Sequence, residues 1–211
     1  MNVRLRIACL VCLVVIGGLS SRANAQEEKG FVRGLVGMTF GTETSSIFGG
    51  GGGFRIAKHV QLIGEAGRMQ NVAPKEIQDE VDLESALLSA DLGVPVTVNV
   101  KVPAVYAMGG IRMNVPTMRR FHPFVDVGVG VASISADFDA EVDGTDISDE
   151  LENELDLQSE SKFLFAIGGG VAIPLTQRTA LDVAYRFHRI ATEDPAINAS
   201  AILAGFRFNF K

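Results

Sequence analysis

The sequence has no tryptophan, few basic residues and only two cysteines, Cys9 and Cys12. Beyond them the chain has no thiol for a disulfide, for nucleophilic catalysis or for a cysteine-ligated metal site. Among its remaining residues no apolar run reaches the roughly 18 residues that indicate a membrane-spanning helix. The formal net charge of −6 lacks the basic excess of proteins that bind nucleic acid, and we exclude that class.

The first 25 residues have the pattern of a secretory signal peptide. Two arginines precede an apolar run at 7–19, and the segment ends in the A-x-A cleavage pattern at 23–25. We expect cleavage before Gln26. The alternative, a retained anchor helix, is disfavoured because a run of about 13 residues is short for a membrane span. The mature domain, residues 26–211, then has 16 basic and 25 acidic residues and a net charge of −9.

Eight segments of the mature chain alternate between bulky apolar residues and small or polar ones, which is the period of a β-strand. The expected strands are Phe31–Phe40, Gly49–Ala57, Val60–Gln70, Val98–Asn114, Pro123–Ser135, Lys162–Ile173, Thr179–Ile190 and Asn198–Phe210. Short connectors alternate with longer polar ones, and an even number of strands places both termini on the short-turn side. This layout predicts an all-β fold, an eight-stranded antiparallel up-and-down barrel.

The character of the two strand faces indicates what each face contacts. In the fifth strand the valines from Val125 to Val131 occupy one face, and Asp126, Gly128 and Gly130 lie on the other. A soluble barrel packs its bulky face inward and shows water a polar face. Here the second face is mostly glycine and alanine, which suits a narrow interior, whereas bulky apolar residues suit lipid. We therefore expect a transmembrane barrel, with a soluble periplasmic lipocalin-like barrel for an apolar ligand as the alternative.

Charged residues recur on the face of small residues. The expected lumen set is Arg33, Arg55, Glu65, Arg112, Asp126, Asp182, Arg186 and Arg207. An eight-stranded barrel is too narrow for a large aqueous pore, so buried charges in it must be paired. We expect an ion-paired plug of the lumen. A small gated channel and an acid–base pair for catalysis remain as alternatives.

A long acidic connector lies at residues 136–161, which carry eleven acidic residues and no basic one. Its sequence nearly fits the pattern of a calcium-binding loop. The candidate ligands are Asp139, Glu141, Asp143 and Glu150. The glutamate at the third position and the strand that precedes the loop depart from that motif. We expect a solvated, self-repelling loop. The alternatives are a weak calcium site or loose attraction of divalent cations near lipopolysaccharide phosphates.

The other long connector, residues 71–97, predicts one helix at Pro74–Leu92. Its apolar stripe of Ile77, Val81, Leu88 and Leu92 suits packing on the barrel rim, and a cap that binds a partner or ligand is the alternative. Alternating valines from Val94 to Val102 predict that the fourth strand extends beyond the membrane.

No motif for catalysis or cofactor binding is present. The glycine run Gly49–Gly53 lacks the following Lys-Ser/Thr of a phosphate loop. In a strand such glycines permit curvature or a bulky neighbour across the barrel. His188 faces inward near the loop end of the seventh strand, where we expect a hydrogen bond at the rim. We expect no enzyme activity, no catalytic residue and no cofactor.

Three segments, Arg112–Ala132, Lys162–Val171 and Phe206–Phe210, resemble the OmpA/OmpX-type outer-membrane β-barrel domain, a porin family in the broad sense. The family pattern P-[FY]-V-x-x-G-x-G is matched by Pro123, Phe124, Val125, Gly128 and Gly130. Lys211 follows the last phenylalanine, whereas the family usually ends in an aromatic residue. The resemblance implies a protein of the Gram-negative outer membrane that depends on the barrel assembly machinery. We expect its barrel to be structural or anchoring. We expect a monomer surrounded by outer-membrane lipid and lipopolysaccharide.

Overall fold

The computed structural model describes most of the chain after residue 28. The described residues are 29–41, 43–115, 121–135, 137–142, 145–146, 159–192 and 196–210. The expected signal peptide lies outside them.

Within the described residues the chain forms strands and one long helix. They are β1 (Gly30–Phe40), β2 (Ser45–Ala57), β3 (Val60–Met69), α1 (Lys75–Leu92), β4 (Val96–Lys101), β5 (Ala104–Asn114), β6 (His122–Ile134), β7 (Asp137–Val142), β8 (Thr145–Asp146), β9 (Glu160–Pro174), β10 (Thr179–Ala191) and β11 (Ile197–Phe210). Eight strands close into an antiparallel barrel in the order β1-β11-β10-β9-β6-β5-β3-β2. The predicted fold class, an eight-stranded antiparallel up-and-down barrel, is confirmed.

Side chains alternate across the barrel wall as their sequence pattern predicts. In β6, Phe124 and Asp126 are buried in the interior, and Val129 is exposed on the outside. In β11, Phe206 is exposed and Arg207 is buried. The outer surface of the wall is therefore apolar, and charged residues lie inside.

The predicted strand Val98–Asn114 is wrong in one respect, because it is divided into β4 and β5. The division falls at Val102 and Pro103, and proline has no N–H to donate to a strand ladder. Val102 leaves the ladder, and its carbonyl accepts a hydrogen bond from Val72 N at 2.8 Å. The break separates the barrel wall from a second sheet.

The second sheet stands beyond the long-loop end of the barrel and has the strand order β4-β7-β8. β7 follows β6 closely in the chain, and β4 precedes β5, so the β4–β7 pair continues the β5–β6 pair outward. This sheet is the expected extension of the fourth strand. Residues 136–161 were expected to be a loop throughout, but β7 and β8 lie within them.

The predicted helix Pro74–Leu92 is present as α1, preceded by Pro74 and ended by Gly93 at a positive φ of 72°. The helix packs against β4, and Ser89 Oγ accepts a hydrogen bond from Val96 N at 2.9 Å. The predicted apolar stripe does not form the centre of this contact, because Ser85 is the buried residue and Leu88 is exposed. No helix in the described ranges is long and apolar enough to cross a membrane.

Candidate functional site

Seven charged side chains meet in the barrel lumen, buried from solvent. They are Arg33 of β1, Glu65 of β3, Arg112 of β5, Asp126 of β6, Asp182 and Arg186 of β10, and Arg207 of β11. We call these residues the charge cluster. All belong to the set expected from the sequence, and six of the eight barrel strands contribute to it.

Arg112 pairs with two carboxylates. Its Nε lies 2.8 Å from Asp126 Oδ1, and its Nη2 donates to Asp126 Oδ2 at 3.0 Å, which makes the contact bidentate. Its Nη1 donates to Asp182 Oδ2 at 2.8 Å. The guanidinium carbon also lies 3.7 Å from the centroid of the Phe124 ring, a cation–π contact. The edge of the Arg112 guanidinium is thus paired with carboxylates, and one of its faces contacts an aromatic ring.

Glu65 is the centre of a second group of contacts. Arg33 Nη2 donates to Glu65 Oε2 at 2.6 Å, and Arg186 Nη1 pairs with Glu65 Oε1. The Tyr106 hydroxyl donates to Glu65 Oε1 at 2.9 Å. Both carboxylate oxygens therefore have donors, as a buried carboxylate requires.

Arginines link the carboxylates into one network. Arg33 Nη1 lies 3.5 Å from Asp182 Oδ2, and Arg186 Nη2 lies 3.1 Å from Asp126 Oδ2. Arg207 Nε lies 3.4 Å from Asp182 Oδ1. Each carboxylate consequently contacts at least two arginines, so no single pair carries the whole compensation for burial.

Arg55, the eighth residue of the expected set, lies away from the charge cluster. It is half-buried near the end of β2, next to the turn at 58–59. In the part of the chain that the structure describes, no carboxylate forms an ion pair with it. The alternation of β2 predicts the face of Arg55 correctly, but alternation does not give depth along the barrel.

The two barrel strands that contribute no charge, β2 and β9, place glycine beside the charge cluster. Gly51 is paired with Arg33, and Gly168 lies between Asp126 and Arg186. A Cβ at residue 168 would lie 2.6 Å from the backbone oxygen of Tyr185 and 3.1 Å from the Cβ of Arg186. Glycine therefore provides room for bulky charged neighbours across the barrel.

The substitution Gly168→Val is expected to reduce the free energy of unfolding by about 1–3 kcal/mol, because it overpacks the lumen. Gly169→Val is the matched control, because its Cβ would be 3.4 Å from Phe124 O, an ordinary contact. The measurement is urea unfolding of the protein refolded in lipid vesicles, followed by circular dichroism. Equal loss of stability in both variants would contradict the assigned role of Gly168.

Packed layers lie on both sides of the charge cluster. Toward the short turns, the Phe31 ring centroid lies 5.5 Å from the guanidinium carbon of Arg112 and 5.3 Å from that of Arg207. Toward the long loops, the cluster is followed by apolar and aromatic side chains. They include Ile47, Met69, Tyr106, Met108, Leu164, Ile190 and Leu203. The charged layer is thus covered by an apolar layer toward the long loops and by the Phe31 ring toward the short turns.

Sequence reasoning missed the segment that covers the mouth of the barrel. Val72 is fully buried in the apolar layer. Asn71 Oδ1 accepts hydrogen bonds from Ala73 N and Val102 N, each at 3.0 Å, and Ser45 Oγ donates to Asn71 O at 2.7 Å. An asparagine directly after a strand is a signal for such a local turn.

His188 lies deeper than expected. It faces inward as predicted, but it is fully buried, and its ring centroid lies 5.8 Å from that of Tyr106. Neither ring nitrogen has a hydrogen-bond partner among the described residues. The expected position at the rim is therefore wrong, because the apolar layer extends over this part of the strand.

The calcium-loop candidates are only partly described. Asp139 and Glu141 lie in β7, where they pair with Asn99 and Thr97 of β4. Asp143 and Glu150 fall outside the described residues. The extended backbone at the first two candidates differs from a loop that curls around an ion. Within the described ranges, no group of three or more His, Asp or Glu side chains is placed to hold a metal ion.

Comparison with known proteins gives a consistent result. A family model described as "Outer membrane protein beta-barrel domain" matches residues 11–210. The fold is similar to that of Neisserial surface protein A, with a TM-score of 0.57, 13% identity, and coverage of 89% of this chain and 99% of that one. It is also similar to the N-terminal β-barrel domain of Pseudomonas aeruginosa OprF, with a TM-score of 0.52, 14% identity, and coverage of 88% and 100%. No curated protein matches the sequence.

Proposed function

The chain belongs to the outer membrane protein β-barrel domain family, and from that premise we propose that it is a structural barrel with a sealed, non-conducting lumen. As an integral protein of the cell outer membrane, it presents its apolar wall to lipid. The alternative of a soluble periplasmic ligand carrier is not retained.

The charge cluster is the observation that carries the proposal. Its side chains extend from six strands and contact one another across the lumen, with Arg112 and Arg186 among the most buried large side chains. Moving a charged group from water into the protein interior costs roughly several kcal/mol unless partner groups compensate the charge. The close ion pairs provide that compensation, and the glycines beside them leave room for the paired side chains.

We also propose how the barrel is inserted and what surrounds it in the membrane. We assign no enzymatic activity to it and place it as a monomer in outer-membrane lipid, inserted by the barrel assembly machinery. The acidic connector, residues 136–161, would face lipopolysaccharide on the outside, where divalent cations could bridge its carboxylates to phosphates. An anchoring role then rests on the wall and this connector together.

Conductance in planar lipid bilayers tests the sealed lumen. We expect no stepwise current from the refolded wild-type protein at either polarity. The double variant Glu65→Ala/Arg186→Ala removes one negative and one positive charge, and the vacated volume should admit water and ions and give measurable steps. Both proteins must first show the heat-dependent gel shift of a folded, detergent-resistant barrel. Stepwise current from the wild type would overturn the proposal in favour of a small gated channel.

A further inference from the structure

Helix α1 is oriented with its polar side toward the rest of the protein. A helix turns about 100° per residue, so Leu83 and Leu87 lie nearly opposite Ser85. Ser85 is buried toward β4, whereas Leu83 and Leu87 are each 63% exposed. A surface helix ordinarily buries its apolar stripe and exposes its polar one. The exposed leucines, with Ala90 one turn further along, form what we call the leucine ridge.

Acidic side chains follow one side of the leucine ridge. Glu80, Glu84 and Asp91 are exposed, and the helical periodicity places all three on the same flank of Leu83 and Leu87. We call them the acidic flank. The only basic residue in the sequence of α1 is Lys75, at its first position. The ridge is therefore an apolar strip with negative charge along its edge.

The chemistry of the acidic flank restricts what could cover the leucine ridge. The lipopolysaccharide surface carries phosphates, which can approach carboxylates only through bridging divalent cations and offer no apolar surface to the leucines. A second copy of α1 would oppose like charges, which costs binding energy. A cationic amphipathic segment has neither problem, because its apolar side buries the leucines while its basic side pairs with the flank.

We propose that α1 is a docking surface for a cationic amphipathic peptide segment of a partner outside the cell. The leucine ridge supplies the apolar contact, and the acidic flank supplies charge complementarity and orientation. The eleven acidic residues of 136–161 add a field of the same sign that attracts such a partner to this end of the barrel.

The test uses the full chain in phosphatidylcholine nanodiscs. The probe is a fluorescent 18-residue helical peptide of leucine and lysine, and empty nanodiscs give the baseline for binding to lipid. We expect saturable binding that weakens with salt. The double variant Leu83→Ser/Leu87→Ser should raise Kd at least about tenfold, since the central apolar contact is lost.

Two single variants separate docking from general attraction to negative charge. Glu80→Gln removes a charge from the acidic flank at nearly the same helical angle as Leu87, whereas Asp82→Asn removes one from another side of the same helix, where Asp82 accepts a hydrogen bond from Gln78 at 2.9 Å. Docking predicts a clear rise in Kd for Glu80→Gln and little change for Asp82→Asn. Equal effects of the two variants would overturn the proposal, as would unchanged binding by the double leucine variant.

Two other outcomes also overturn the docking proposal. One is binding by the wild type no greater than that of empty nanodiscs. The other is self-association of the wild type in sedimentation, without peptide binding, that the double leucine variant abolishes. That second result would show that another copy of this chain covers the ridge. Because all the substituted residues are exposed, the variants should retain the gel shift of the folded barrel.

Discussion

Replacing Arg112 with methionine is expected to lower the free energy of unfolding by about 3–5 kcal/mol, since it leaves buried carboxylates without their main partner. Methionine has an unbranched side chain but supplies none of the three nitrogen contacts that Arg112 makes with Asp126 and Asp182. The measurement is urea unfolding in lipid vesicles. Because the chain has no tryptophan, circular dichroism and gel mobility report the transition.

Arg55→Met is the matched control for this prediction. It removes the same side chain from the same barrel at a position that forms no ion pair within the described residues. We expect it to change stability by less than about 1 kcal/mol. Adding Asp126→Asn to Arg112→Met should restore part of the loss, because it removes the charge of the carboxylate that has lost its bidentate partner. If the two methionine variants are equally stable, the charge cluster does not contribute as the geometry indicates.

An arginine at Val129, near the middle of the outer wall, is expected to cost about 2–4 kcal/mol in a bilayer. Val129 is 51% exposed and pairs with Gly109 and Phe165, about halfway along β6. Its side chain therefore faces the hydrocarbon region, where a guanidinium loses most of its hydration. The measurement is the same urea unfolding, performed in vesicles.

Depth in the membrane provides the control for Val129→Arg. Met113 is 49% exposed but lies near the short-turn end of β5, so Met113→Arg should cost only about 0–1 kcal/mol. The two positions have nearly equal exposure. A difference in stability between the two variants therefore reports the cost of placing arginine in lipid, and not a loss of packing. Equal stability of the two arginine variants would contradict the orientation of the wall in the bilayer.

The barrel was predictable because one simple physical rule applies along every strand. Side chains alternate between lipid and lumen, and this rule distinguishes Val129 from Asp126 without any knowledge of the partner strands. The limits of β4 and β5 were not predictable from alternation, since the valines from Val94 to Val102 alternate equally well in a barrel and in a sheet outside it. Pro103 was the available signal for the division.

The charge cluster was predictable as a set but not as a geometry. Alternation places Arg33 and Arg55 on inward faces alike, and only the strand register shows that one reaches Glu65 and the other does not. The orientation of α1 was not predictable, because its contacts with β4, such as the hydrogen bond from Val96 N to Ser89 Oγ, are tertiary and lie off the apolar stripe that sequence periodicity favours. Such single contacts are set by tertiary structure.

The seam between β1 and β11 joins the first and last strands of the barrel, with Gly30 paired to Phe210. Arg33 lies on the first of these strands, and its contact Asp182 is 149 residues later in the chain. A nascent barrel that lacks the last strands therefore has an open edge in a medium that does not tolerate one, and Arg33 and Arg112 lack their shared contact Asp182. Insertion and ring closure must then occur as one cooperative event. Chains cut short before residue 182 should be degraded, because they cannot persist as smaller barrels.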